Sequence, residues 1–344
     1  MTKEKKVYLE ILRLIAIYSA VYVHTGISAM YHFEVNPTGA SSWIAFVLMM
    51  LSQACNIMFF MITGAVLLDK EETVAHVLKY RFLRMLIVVI LFSLFQYYCN
   101  YLRMPEMGFE IPVFFQVIYR TSVISQYWFL YAYLALLLIL PFLRILARQM
   151  KPVHFVYLFV LYVIVEGILP VAEYHWEYEP LYLSVPFLEE IIICPLIGYF
   201  ADKYGDEYLD SKKNLLLLNA GAIVFLLLGL DYSRTNYYVE GRISVLNGML
   251  LVIAAAVFAN LRFLCKHWQM PLWCKRVVLF LGSGAFGVYL FEPQLREGFY
   301  FLYLRLEPYV TWLPAAFVWL SAAVLAGILI FHVLKKIPFL GRLF

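Results

Sequence analysis

Apolar runs about as long as a bilayer is thick recur from one end of the chain to the other, and they constrain the fold more than any motif does. Counted against a span of about 20 residues, they give about ten predicted helices: 8–30, 42–68, 82–103, 127–147, 154–171, 186–201, 214–230, 243–262, 277–296 and 311–334. Composition agrees. Of 344 residues, 64% are hydrophobic and 15% charged, whereas soluble domains run near 45–50% and 25%. The expected fold class is therefore all-α, a polytopic membrane protein. No Ser/Gly-rich linker, charge block or soluble stretch divides the chain, so residues 1–344 read as a single transmembrane domain. The first run is too long for a signal-peptide core and no small-residue cleavage site follows, so it is expected to stay as the first span.

Loop charge orients the spans. With the N-terminus inside, alternate gaps and the two ends, counted with the margins of the spans, carry twenty of the 27 Lys and Arg residues, the other gaps carry six, and Arg13 alone lies deep within a span. That bias predicts cytoplasmic N- and C-termini. It also accounts for the net charge of +4, so no nucleic-acid partner is implied. The five cysteines and seven histidines follow no zinc-ligand or disulfide pattern, and no metal site is expected. Of the outer loops, 104–126 is the longest, with Pro105, Pro112 and an apolar stretch suited to the interface, while 172–185 and 231–242 are rich in aromatic residues. Those rings suit either a membrane-interface belt or stacking against carbohydrate. The two halves show no matched broken helices of the kind that mark inverted-repeat transporters.

The first span, Tyr8–Met30, carries Glu10, Arg13 and His24 where apolar residues are expected. Eleven residues at 100° each leave Arg13 and His24 about 20° from one face, roughly 16–17 Å apart along the axis. An arginine near the centre of a membrane helix costs about 2.5–3.5 kcal/mol on insertion scales. A cation snorkelling to the inner interface and a histidine bonded to a neighbouring helix would each explain one residue. Their common face points instead to a shared cavity. Glu10 is three residues from Arg13 and can pair with it.

The same residues carry a resemblance. Arg13, ten intervening residues and His24 match the R-x10-H signature of the acyltransferase family 3 membrane proteins. LEILRLIAIYSAVYVHTG resembles that family's first helix, with Glu10 where Asp is common. NIMFFMITGAVLL, QYWFLYAYLALLLILPFLR and SGAFGVYLFEP resemble its segments in the second, fourth and ninth helices. The likeness runs in order along essentially the whole chain, in the stand-alone form without an appended hydrolase domain. The chain departs from it at Glu292, where relatives often carry His, and in lacking the W-S-L-x-x-E form of the fourth helix.

The resemblance implies transfer of an acyl group, usually acetyl, from cytosolic acyl-CoA to a hydroxyl of an extracytoplasmic glycan, in a bacterial cytoplasmic membrane. Acetyl-CoA would be a co-substrate, with no permanently bound cofactor. The expected partners are acyl-CoA, a surface glycan or lipid-linked saccharide, and membrane lipid. Arg13 suits CoA phosphate, which it can bind through charge-assisted hydrogen bonds. His24 suits a general base or a nucleophile forming an acetyl-histidine. Arg81 and Arg84 are further candidates for phosphate. Asn56, Thr63, Tyr127 and Trp128 are candidates for oxyanion or substrate contact, and Glu189 and Glu292 for the acceptor. Adjacent Glu189 and Glu190 point about 100° apart, so at most one faces a central cavity. The alternative is a transporter or flippase-like component of polysaccharide export, in which Arg13 and His24 recognise an anionic solute and relay protons.

Overall fold

The structure is a computed structural model and describes residues 6–25, 36, 38–176, 188–240 and 247–344. Backbone polar groups have no water to bond in a bilayer core, so the apolar runs satisfy them internally as helices. Among the described residues there is no strand. In chain order the helices are α1 (Val7–Val23), α2 (Ala40–Leu67), α3 (Val74–Arg103), α4 (Ile111–Arg120), α5 (Ser125–Gln149), α6 (Pro152–Trp176), α7 (Glu190–Lys203), α8 (Lys212–Glu240), α9 (Asn247–His267), α10 (Leu272–Ser283), α11 (Ala285–Gly298), α12 (Tyr300–Val310), α13 (Trp312–Leu334) and α14 (Pro338–Leu343).

Among the described residues seven of these are long and apolar enough to cross a membrane, and α10 with α11 makes an eighth, bent by 58° at its break. The remaining two predicted spans appear as shorter helices, α1 with 17 residues and α7 with 14. At 1.5 Å per residue these reach about 25 and 21 Å, less than a hydrocarbon core of about 30 Å. The expectation of about ten full spans therefore resolves into fewer full-length helices. Helix α1 stops at Val23 rather than continuing through 25; the predicted continuation over 26–30 lies outside the described residues.

The helices form two compact units, one from Met1–Leu67 with Met150–Val333 and one from Leu68–Gln149 with Leu334–Phe344. In the first, α1, the second half of α2, α7 and α9 pack on one another. Small residues make this possible. A Cβ on Gly64 would overlap the Pro195 carbonyl, and one on Gly198 the Met61 carbonyl, so α2 and α7 touch backbone to backbone as membrane helices do at small residues. Helix α1 also lies along the bent α10–α11 pair. Contacts place Lys6, Asp202 and Arg262 at one end of this unit, and His24, Ala45 and Glu292 at the other, as alternate crossings require. Outward faces stay apolar; α8 leaves Leu216, Leu217, Ile223 and Leu227 exposed, as suits contact with lipid.

In the second unit α5 packs on the start of α3. Arg81 Nε and Nη2 donate to the two oxygens of Glu72 at 2.7 and 2.5 Å, and Arg144 Nη2 donates to Glu72 Oε2 at 2.8 Å. The terminal α14 returns to α3, with Phe344 against Phe92.

Candidate active site

The C-terminal end of α1 is built by its cap. The Thr25 hydroxyl donates to the Tyr22 carbonyl at 2.7 Å, and the backbone N–H of Thr25 reaches the same oxygen. These bonds satisfy a carbonyl that would otherwise be orphaned at a helix terminus, and they leave His24 as the capping residue. Its Nδ1 stands 3.8 Å from Glu292 Oε2. Glu292 is only 3% exposed, on the buried face of α11. One helical turn further on, Arg296 Nε donates to Glu292 Oε1 at 2.7 Å. Trp319 of α13 in turn donates to the Arg296 carbonyl at 2.7 Å, so the turn that carries the guanidinium is tied to a second helix.

One oxygen of Glu292 is thus fixed by Arg296 and the other is turned to His24. At 3.8 Å the two atoms are beyond hydrogen-bond distance. Among the described residues, neither His24 Nδ1 nor Glu292 Oε2 has a hydrogen-bond partner. A carboxylate in this position favours the tautomer with the proton on Nδ1, leaving Nε2 as the basic nitrogen. It also stabilises the imidazolium that forms when Nε2 takes a proton.

Near the N-terminal end of α1, Arg13 Nη1 donates to Glu10 Oε1 at 2.5 Å. Glu10 is buried and Arg13 partly exposed. Glu10 fits because α10 offers Gly282 there: a Cβ on Gly282 would lie 2.6 Å from Glu10 Oε2 and 2.7 Å from its Cβ. Both polar positions of α1 therefore face the bent pair, Glu10 against α10 and His24 against α11. Ile17 and Ala20, which lie on the stripe between Arg13 and His24, are 1% and 5% exposed. Packed apolar groups separate the two polar positions in this conformation.

Sequence reasoning missed a second polar feature at the N-terminal end of α1. A cavity of about 500 Å³ opens beside the start of α1, lined by Lys6, Arg262, Lys266 and Lys275 and by Asp202 and Asp206. Lys6 pairs with Asp202 at 2.5 Å, and Tyr8 also donates to Asp202. Arg262 bridges Asp206 and Asp210 at 2.7 and 2.5 Å, and Lys266 joins both. Hydrogen bonds from Lys266 and then Arg262 hold the Asp206 carboxyl well below the usual carboxylate range. In the sequence these cations counted only as loop charge. The signal was the matched spacing of four, Asp206 to Asp210 and Arg262 to Lys266, on two neighbouring segments.

The other predicted residues are placed as follows. Thr63 donates its hydroxyl to the Phe59 carbonyl at 2.8 Å, a bond within its own helix. Asn56 is half-buried at the start of the second half of α2, where Cys55 Sγ lies 3.7 Å from its Oδ1. Glu189 is exposed at the N-cap of α7, with Glu190 in the first turn. The remaining four belong to the second unit. Arg81 is committed to Glu72, and its hydrogen bonds hold that carboxyl down at about 2. Arg84 is exposed. Tyr127 is buried and accepts a hydrogen bond from Gln96 at 3.4 Å, while Trp128 is exposed.

No curated protein and no solved structure matches the chain. Residues 6–333 match the family model described as an acyltransferase domain. The match covers nearly the whole length, including the α1 motif and the bent pair it faces. This multi-pass membrane protein is an acyltransferase, and the chain belongs to acyltransferase family 3.

Proposed function

We propose that this acyltransferase moves an acetyl group from cytosolic acetyl-CoA to a hydroxyl of an extracytoplasmic glycan or lipid-linked saccharide at the bacterial cytoplasmic membrane. The observation that carries the reading is His24 facing Glu292, itself held by Arg296. In the proposed step, His24 Nε2 takes the proton of the acceptor hydroxyl as that oxygen attacks the thioester carbonyl. The tetrahedral adduct collapses, the C–S bond breaks, and the leaving thiolate recovers the proton from the imidazolium. The products are the O-acetyl ester and free CoA thiol. Glu292 acts through His24 by fixing its tautomer and stabilising its charged form.

The donor is polyanionic, and the inner end of α1 suits it. Arg13 offers charge-assisted hydrogen bonds, and the cavity beside Lys6 adds four cations against two lining carboxylates. For the thioester to reach His24, the contacts at Ile17 and Ala20 must open. The test is a pair of measurements on the purified chain in lipid nanodiscs: acetyl-CoA binding, and appearance of CoA thiol with esterified oligosaccharide. His24→Ala is expected to keep the first and lose the second. Normal ester formation by His24→Ala would refute the proposed base, and no acetyl-CoA binding by the native chain would refute the donor.

A further inference from the structure

In the half of the first unit remote from Lys203, α6 and α7 bring further polar side chains together. Within α6 the stretch Ile164–Ile168 is a π-helical turn with Glu166 at its middle. Such turns are uncommon and concentrate at functional sites. This one is clamped from behind: a Cβ on Gly248 of α9 would lie 2.6 Å from the Gly167 amide nitrogen. Helix α7, which packs on the first half of α6, begins with Glu189 and Glu190. Glu166, Glu189 and Glu190 act electrostatically on one another. Glu189 is exposed and the other two are half-buried, so the group is reachable.

Tyr162 stands one turn before Glu166 on α6. It is 1% exposed, its hydroxyl has no hydrogen-bond partner among the described residues, and that hydroxyl lies within electrostatic reach of all three carboxylates. A buried phenol ordinarily finds a partner, and one that does not is destabilising. The positive end of the α7 dipole accounts for Glu189 and Glu190. It accounts neither for Glu166, which sits on another helix, nor for Tyr162. A metal does not explain the cluster, because among the described residues no three His, Cys, Asp or Glu side chains converge to ligate one.

The donor and acceptor inventory fits a sugar. Carboxylates only accept hydrogen bonds, and sugar hydroxyls and ammonium groups donate them. The Tyr162 hydroxyl can both give and accept. An acidic sugar would set its own charge among three carboxylates, which is repulsive. We infer that Glu166, Glu190 and Tyr162 form a subsite for an uncharged or amine-bearing sugar of the acceptor and discriminate against uronates. Its role as an acceptor subsite rests on the acyl-transfer reading above; its preference among sugars does not.

The test uses the full chain in lipid nanodiscs, titrated without donor and followed by tryptophan fluorescence. The probes are cellohexaose (neutral), chitosan hexamer (amine-bearing) and hexagalacturonate (acidic). The acidic probe should bind at least about tenfold more weakly than each of the others, the size of effect that one repulsive contact in a binding site can give. Glu190→Gln and Tyr162→Phe, both close in shape to the native residue, should each cut that preference by about threefold or more with helical circular dichroism unchanged. Equal binding of all three probes, binding of none, or a preference kept whole in both variants overturns the subsite. A second measurement adds acetyl-CoA. If the preference holds but no ester forms with any probe, the acyl-transfer reading fails and the subsite stands.

Discussion

His24 Nδ1 and Glu292 Oε2 face each other across 3.8 Å, and the second Glu292 oxygen is bound by Arg296. The guanidinium therefore orients the carboxylate towards the imidazole. His24→Ala is expected to lower ester formation by about 10²–10⁴, the usual contribution of a positioned general base. Single-turnover thiol release from bound acetyl-CoA measures it.

Glu292→Gln keeps the shape of the side chain and removes its charge. It should lower the turnover number by about 10–100-fold, the range seen when a group that orients a functional histidine is lost. Donor affinity should not change, because Glu292 lies at the opposite end of α1 from the basic cavity. Arg296→Gln should act in the same direction and more weakly, since Glu292 keeps its charge. Donor affinity that falls together with turnover would show that Glu292 supports the fold rather than His24.

The R-x10-H spacing was legible in the sequence, and so were the helical class and the polarity of the loops. The partners were not. Glu292 could be picked out as a departure from its relatives, but nothing in its own segment says that it turns inward onto α1. That depends on the bend between α10 and α11. Arg296 read as one of six outer-loop cations and proves to sit one turn from Glu292 on the same helix. Tyr127 read as a candidate at the head of a helix and is core. Its hydroxyl needs a partner when buried, and Gln96 supplies it. Arg81 read as a candidate for phosphate and Arg144 only as loop charge. Glu72, which pairs with both, lies in a loop that no periodicity connects to them.

That loop carboxylate sets a pH dependence. Arg81, then Arg144, hold Glu72 at about 2, below its ordinary value of 4.5. A carboxyl depressed on folding binds its proton more tightly when unfolded, so it contributes stability above pH 4.5 that is lost as the pH falls towards 2. Thermal unfolding in nanodiscs should therefore drop across this window in the native chain. Glu72→Gln should be less stable than the native chain at neutral pH, and the part of the drop due to this group should vanish in it.

Arg13 and Glu10 can be separated by a double-mutant cycle. Arg13→Ala removes the proposed donor contact and leaves Glu10 with its charge buried and its ion pair lost, a change that costs about 3–5 kcal/mol in buried pairs. Glu10→Gln added to Arg13→Ala should recover much of that stability. It should not recover acetyl-CoA affinity, which is expected to fall by about tenfold or more with the loss of a charge-assisted hydrogen bond. Unfolding midpoints and equilibrium binding, measured on all four proteins, read the two effects independently. Affinity restored along with stability would mean that Arg13 serves only to neutralise Glu10.

Gly282 gives the sharpest test of the packing beneath that pair. An added Cβ would fall 2.6 Å from Glu10 Oε2, 2.7 Å from its Cβ and 2.9 Å from its carbonyl oxygen. Two of those three atoms belong to the α1 backbone or its first side-chain carbon and cannot swing aside. Gly282→Ala must therefore push α10 away from α1, at the cost of about 1–3 kcal/mol typical of overpacking. The bent pair carries Glu292 as well as Gly282, so the displacement is transmitted to the gap between Glu292 and His24. The expected result is a stable, helical protein that has lost turnover well beyond its loss of stability. Glu10→Ala in the same chain removes the carboxylate from the clash but leaves the Cβ and carbonyl oxygen in place, and should restore turnover only in part. Full activity in Gly282→Ala alone would show that α1 and α10 have slack at this contact, and that the distance between His24 and Glu292 is set elsewhere.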